Sequence, residues 1–138
     1  MVDALRRIHR SLVPGGALLD MQPALADPSV LGADGVLGRM DGRALQAMAR
    51  ATDTGLAGAV GAGLFRFETE VFLDLVHRFD TAAELVGEVD GWRWQKLTPE
   101  ARQALARSSP PFEVHERCLL RRLRASEPHP ISRAERRD

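Results

Sequence analysis

The fold of this chain is decided by the stretch Leu12-Val13-Pro14-Gly15-Gly16-Ala17-Leu18-Leu19-Asp20. Proline cannot continue a helix and two glycines permit a tight turn, so Pro14 to Gly16 should end the element that precedes them. The apolar run Ala17 to Leu19 is typical of a strand that is covered on both faces, as in a parallel sheet. The stretch therefore predicts a helix, a tight turn and a buried strand, in that order.

Apolar spacing predicts the elements on either side of this stretch. Upstream, four residues fall on one face of an amphipathic helix: Val2, Leu5, Ile8 and Leu12. Downstream, the residues from 23 to 42 show neither the helical nor the strand period, so they predict a loop. Residues 43–60 return to helical spacing and predict a second helix.

The strongest alternation of the chain lies in residues 65–79, which predict one long strand. We expect one side of it to face the core, namely Phe65, Phe67, Thr69, Val71, Leu73, Leu75, His77 and Phe79. Because usual strands have roughly 5–6 residues, a strand of this length should bend or carry a bulge. Farther on, the capping box of Thr81 and Glu84 begins a short helix, Thr98-Pro99 begins another, and residues 112–123 predict a final strand.

Composition restricts the classes of protein to which the chain can belong. Its 138 residues are enough for one domain with a single core, which we place at residues 1–125, and we expect residues 126–138 to form a disordered tail. The 19 basic and 19 acidic residues cancel, so no overall charge attracts nucleic acid or an anionic membrane. The lone Cys118 allows no internal disulfide, and we expect it to be a small core residue. No apolar run is long enough to span a bilayer. A cytoplasmic protein is expected.

Residues 4–20, Ala-Leu-Arg-Arg-Ile-His-Arg-Ser-Leu-Val-Pro-Gly-Gly-Ala-Leu-Leu-Asp, resemble a stretch of class I S-adenosylmethionine-dependent methyltransferases. In that family a helix ends in Arg-x-Leu-x-Pro-Gly-Gly just before the fifth strand. The order of elements that follows is similar to the end of the family's domain. The resemblance implies an α/β fold, a truncated Rossmann-like half-domain in which helices pack on a small mixed sheet of about three long strands.

The resemblance also implies that the cofactor-binding half of the domain is absent from this chain. The family holds S-adenosylmethionine with a glycine-rich turn after its first strand and an acidic residue after its second, and neither has a counterpart here. Gly58 to Gly63 follows a helix and precedes a strand, which is the reverse of the order that such a turn needs. We expect no cofactor to bind this chain alone, and S-adenosylmethionine to bind only if a partner completes the domain.

Three residues are candidates for contact with a small-molecule substrate, although no catalytic residue can be named. Asp20 and Gln22 lie where the fifth-strand counterpart emerges, at the rim where a family member would hold its methyl acceptor. Asp20 could instead cap the loop that follows. His77 lies on the apolar side of the long strand, where it is either an acid/base group or a satisfied core histidine, and His115 could pair with it across neighbouring strands. The histidines and Cys118 show no metal-ligand spacing, and the arginines near residue 120 are explained by a solvated strand edge.

The missing half has a consequence for assembly. If the strands keep the order of the family, the strand from Ala17 to Met21 lacks its neighbour on one side and presents an apolar edge. We expect a second copy of the chain or another protein to cover that edge. The functional hypothesis is a methyltransferase-related half-domain, inactive alone, that acts as an assembly or small-ligand module. The alternative is the acceptor-binding part of an active methyltransferase completed by another chain or by upstream sequence.

Overall fold

The computed structural model describes residues 2–126, and within them the chain forms an α/β fold of four helices and six strands. The tail predicted for residues 126–138 lies outside the described residues except for Ser126, whose backbone N–H donates to the carbonyl oxygen of Leu64. In chain order the elements are α1 (Val2–Ser11), β1 (Ala17–Pro23), β2 (Ser29–Gly32), β3 (Gly35–Asp41), α2 (Arg43–Gly61), β4 (Phe65–Phe79), α3 (Ala82–Gly91), β5 (Lys96–Leu97), α4 (Pro99–Leu105) and β6 (Phe112–Ala125).

The sheet is built around β6, and each strand pairing in residues 2–126 is antiparallel. β4 pairs with β6 from one end to the other, while β1 and β2 share the opposite side of β6. β3 and then β5 continue the sheet beyond β2. The expectation of a mixed sheet of about three long strands was therefore wrong: the sheet of the described residues is antiparallel and has six strands. Three short strands, β2, β3 and β5, join the predicted β1, β4 and β6.

The residues expected to form a loop, 23–42, contain the hairpin of β2 and β3. Gly32 pairs with Gly35 across a two-residue turn, and Gly35 has a positive φ of 118° that favours glycine. Val30 and Met40 point into the core, where both are almost fully buried. The loop prediction was wrong. Glycines interrupt the apolar alternation of β2 and β3, so the sequence did not show the period of a strand.

The long strand β4 carries the bulge that its length predicted. The register with β6 shifts between Phe67 and Thr69, so that Phe67 lies opposite Leu123 and Thr69 lies opposite Arg122. Directly opposite residues share a face of the sheet, and the extra residue Glu68 therefore moves the later odd-numbered residues to the other face. The expectation of one continuous buried side was wrong. Phe65 and Phe79 at its ends are buried, whereas five large apolar residues between them are exposed: Phe67, Val71, Phe72, Leu73 and Val76.

Two apolar clusters hold the fold together, and β6 contributes to both. The first joins β2, β3, β4, β5, α3 and α4 to the start of β6, and it includes Leu85, Leu105, Phe112 and Val114. The second joins α1, α2 and the start of β4 to the end of β6, and it includes Leu5, Leu56, Phe65, Leu123 and Ala125. β6 supplies even-numbered residues to the first cluster and odd-numbered residues to the second.

The Pro14-Gly15-Gly16 turn between α1 and β1 was predicted, and the structure explains both glycines. Gly15 has a positive φ of 70°, and a Cβ atom on Gly16 would lie 2.8 Å from the carbonyl oxygen of Val13. Arg124 on β6 donates from Nη1 to the Gly15 carbonyl oxygen at 2.7 Å, which fixes the turn against the sheet. The N-caps of α3 and α4 are also confirmed, since Thr81 and Thr98 accept backbone hydrogen bonds through their hydroxyl oxygens.

Among residues 2–126, β1 is paired on one side only, and its apolar run is not covered on both faces as expected. Leu19 is 65% exposed and Met21 is 61% exposed, since they lie on the side of β1 that no helix covers. Asp20 and Gln22 alternate with them and are partly or fully buried. The run therefore belongs to an antiparallel strand at the border of the sheet, where successive side chains point to opposite faces. None of the helices in residues 2–126 is long and apolar enough to cross a membrane.

Candidate functional site

An open cavity of about 380 Å³ lies where β4 and β6 approach the loop that follows α3. His77 enters it from β4, Glu116 enters it from β6, and Trp92, Trp94 and Gln95 line it from the loop. Glu116 lies directly opposite Leu75, so it shares a face of the sheet with His77 two residues farther along β4. α3 ends at Trp92, whose extended backbone directs the chain back across this face. We call this cavity the His77 pocket.

The polar floor of the His77 pocket is formed by three side chains. Gln95, which is only 5% exposed, donates from Nε2 to Oε1 of Glu116 at 2.7 Å. The other oxygen, Oε2 of Glu116, lies 3.9 Å from Nε2 of His77, which is too far for a hydrogen bond. Nε2 of His77 is shielded from solvent and bonds to no atom of the described chain. A shielded polar atom without a partner costs about 1–3 kcal/mol, so a ligand that displaced the surroundings of Nε2 and bonded to it would recover that cost.

The walls of the His77 pocket are mainly aromatic. The Trp92 ring meets the His77 ring edge-on, with centroids 5.1 Å apart, and its Nε1 donates to Oε1 of Glu88 at 3.4 Å. The guanidinium of Arg93 lies over the Trp94 ring, 4.6 Å from its centroid. Such an arrangement can hold a flat or apolar group against an indole ring while the floor binds a polar head.

A second cluster of polar residues forms around Arg121 on β6, and we call it the Arg121 cluster. Arg121 is 12% exposed and donates to Asp53 on α2 and, at 2.9 Å from Nε, to Glu70 on β4. Asp20 on β1 lies directly opposite Arg121, with Oδ2 3.6 Å from Nη1. Gln22 donates from Nε2 to the same Asp53 carboxylate. The cluster places three carboxylates around one guanidinium.

Asp20 is an electrostatically unusual member of the Arg121 cluster. Burial raises its pKa above the ordinary 3.8; Arg121 lowers that pKa and the negative charge of Asp53 raises it further. Oδ2 of Asp20 and Oε1 of Gln22 are shielded and bond to no other atom within residues 2–126. The carboxylate therefore lies in a site that favours its neutral form more than water does.

The structure brings two of the three predicted contact residues together. Asp20 and Gln22 meet in the Arg121 cluster through Asp53, whereas His77 lines the His77 pocket without either of them. Asp20 does not cap the following loop, since it lies within β1 opposite Arg121. Their roles as ligand contacts stay predictions.

Two further expectations about side chains can be compared with the structure. His77 and His115 do not pair, because His77 lies opposite Val114 and His115, opposite Val76, bonds to Glu113 at 2.6 Å. The small core residue expected at Cys118 is confirmed, since it is buried and burial raises the pKa of its thiol.

Several residues of both sites could not be singled out from the sequence. Glu116 and Gln95 are brought to the pocket by the strand register and by the loop after α3, which the sequence does not show. The nearby Trp92 and Trp94, the only tryptophans of the chain, could have indicated this loop. The arginines near residue 120 were attributed to a solvated edge, which was wrong because β6 is central. Arg124 binds Glu68 through a hydrogen bond that lowers the pKa of that carboxyl.

The described part of the chain, residues 2–126, places no three histidine, cysteine or acidic side chains where they could hold a metal ion. Comparison of the chain with protein-family models, with curated proteins and with solved structures finds no match. The methyltransferase resemblance therefore rests on residues 4–20 and on the order of the elements.

Proposed function

We propose that this chain is a methyltransferase-related half-domain that works as an assembly module, in which the β1 edges of two copies join into one sheet. The observation that carries the proposal is the outer edge of β1, with which no strand of the described residues 2–126 pairs. The arrangement of the three main strands supports the relationship. β6 lies between β4 and β1, as the seventh strand lies between the sixth and the fifth in the resembled family. On this proposal the chain alone neither binds S-adenosylmethionine nor transfers methyl groups, and it belongs to the cytoplasm.

The backbone hydrogen bonds define which groups of β1 are free. Ala125 donates to the carbonyl oxygen of Gly16 at 2.8 Å, and Ala24 donates to that of Arg117 at 2.7 Å. Antiparallel pairs alternate between bonded and non-bonded residues, so the even-numbered residues of β1 direct their N–H and C=O groups to β6. Leu19 and Met21 consequently direct theirs outward. Pro23 is also odd-numbered, so its nitrogen, which carries no hydrogen, faces outward. Proline is tolerated at such an edge position of a sheet.

The outer edge of β1 is self-complementary. About a two-fold axis through Leu19, an antiparallel copy would place Leu19 opposite Leu19 and Ala17 opposite Met21, with no charged residue among them. The long border on the opposite side of β6, which β4 forms, is different, because charged side chains along it oppose pairing: Glu70, Asp74 and Arg78. β1 is therefore the edge at which two copies would add.

Oligomeric state at micromolar concentration tests this proposal, measured by light scattering after size exclusion. We expect a dimer for the wild type and a monomer for Leu19→Lys, because two lysines would face each other across the axis. Val36→Lys is the matched control, since Val36 is 68% exposed on β3 and its replacement adds the same charge away from β1. A monomeric wild type, or a Leu19→Lys variant that stays dimeric, would refute assembly through β1.

Calorimetry with S-adenosylmethionine tests the relationship to enzymatic methyl transfer. We expect no heat of binding from the purified chain, since residues 2–126 offer no glycine-rich turn between a strand and a following helix. Saturable micromolar binding by the chain alone would overturn the proposal that it lacks a cofactor site.

A further inference from the structure

We propose that the His77 pocket binds a small primary amine attached to an aromatic or apolar group. The ammonium would lie between His77 and Glu116, and the apolar group would lie against the indole rings of Trp92 and Trp94. This site lies on β4 and β6, so its occupation does not depend on assembly through β1.

An amine nitrogen can bridge His77 and Glu116 once the His77 ring turns to open Nε2, which is shielded from solvent in this structure. Nε2 of His77 and Oε2 of Glu116 are 3.9 Å apart, so one atom can lie about 2.8–3.0 Å from both. The carboxylate can only accept hydrogen bonds, and Nε2 of a neutral imidazole with its proton on Nδ1 also accepts. A primary ammonium has three donors and no acceptor, so it satisfies both atoms and retains a third donor.

The charges around the gap favour a cation over a neutral or anionic group. Glu116 has a side chain only 16% exposed, and its second oxygen is held by Gln95. Glu88 adds a further carboxylate to the lining. Arg93 also lines the pocket, and its guanidinium lies over the Trp94 ring. A charge-assisted hydrogen bond to a sheltered carboxylate is stronger than one between neutral groups. The pocket thus attracts ammonium groups and disfavours carboxylates.

The walls select what the amine is attached to. Trp92, Trp94 and Leu45 supply apolar surface, and a volume of about 380 Å³ accommodates a single ring with a short side chain. An ammonium near the face of Trp92 or Trp94 would also gain from the attraction between a cation and an indole ring. A monoarylalkylamine fits these requirements, whereas a polyamine would leave the indole walls unused.

Binding of phenethylamine to the full chain tests the proposal, with 2-phenylethanol and phenylacetate as probes of the same shape. Trp92 and Trp94 are the only tryptophans, so their fluorescence reports occupation of the pocket. We expect saturable binding of phenethylamine, about tenfold weaker binding of the alcohol, and none of the acid. Equal affinity for the alcohol would overturn the assignment of a cation, and no binding of phenethylamine at millimolar concentration would overturn the site.

Variants assign the binding to the named groups. Glu116→Gln preserves the shape and removes the charge, so it should weaken phenethylamine binding about tenfold or more, while the alcohol is little affected. Glu100→Gln is the matched control, because Glu100 is exposed on α4 away from the pocket. Unchanged affinity in Glu116→Gln would refute the role of that carboxylate. If this variant does not fold, nuclear Overhauser effects between phenethylamine and the indole protons of the wild type decide, and their absence would refute the site.

Discussion

Replacement of Arg121 by methionine should destabilise the protein by about 2–3 kcal/mol at neutral pH. The hydrogen bond to Asp53 is charge-assisted and is made by a guanidinium only 12% exposed, so it contributes roughly 1.5–3 kcal/mol. The bond to Glu70 reaches a half-exposed carboxylate and adds at most about 1 kcal/mol. Without Arg121, the buried charge of Asp20 also loses its opposite charge, as happens when one partner of a buried pair is removed. Because Asp53 and Glu70 are partly exposed, the total loss of stability should be smaller than that from breaking a fully buried ion pair.

Urea unfolding followed by circular dichroism measures the effect of Arg121→Met at pH 7 and again at about pH 4, where carboxylates begin to protonate. The loss should be smaller at the lower pH, because burial raises the pKa of Asp20 and the neutral form of Asp20 no longer needs a cation. Arg122→Met is the matched control, because Arg122 is the adjacent arginine of β6 and its side chain is about half exposed, so loss of its pair with Glu68 should cost much less than loss of Arg121. Adding Asp20→Asn to Arg121→Met should recover part of the loss. A change below about 0.5 kcal/mol at pH 7 would show that Arg121 does not hold the cluster together.

Three other predictions concern the framework of the fold. Leu105→Ala should cost about 2–5 kcal/mol in urea unfolding, because Leu105 is almost completely buried in the first cluster, and a loss below 1 kcal/mol would contradict that packing. Gly16→Ala should lower the melting temperature more than Gly61→Ala, since its Cβ would collide with the Val13 carbonyl while Gly61 has open space around it. Hydrogen bonds from Arg43 lower the pKa of Asp41 to about 2, so the stabilisation by Asp41 is complete above its ordinary 3.8 and is lost as the pH falls toward 2. Carbon-detected titration should find Asp41 returning toward 3.8 in Arg43→Ala.

Local signals predicted much of the framework. The Pro14-Gly15-Gly16 turn, the caps at Thr81 and Thr98 and the bulge in β4 follow from residues close together in sequence, so they could be anticipated. The β2–β3 hairpin could not be anticipated, because one of the glycines that hide its alternation is required by contact with a residue far away in sequence. Gly38 lies against α4, where an added Cβ would be 3.0 Å from the Cβ of Ala101.

The candidate sites were predicted only in part, for a related reason. His77, Asp20 and Gln22 could be named because each stands at a marked position of its own strand. Their partners Glu116 and Arg121 could not be named, since the contacts with His77 and Asp20 depend on the register of β6 with β4 and β1. A register is set by the summed packing of whole strands, and a shift of one residue would direct every side chain to the opposite face.

The division of β6 between two clusters has a consequence for folding errors. A displacement of β6 by one residue would drive Glu113 and His115 into the first cluster and, at the same time, Arg122 and Arg124 into the second. Charges would thus be buried at both ends of the strand by a single mistake. Misaligned β6 is therefore penalised twice, which protects the alignment of the central strand even though the sheet has long open borders.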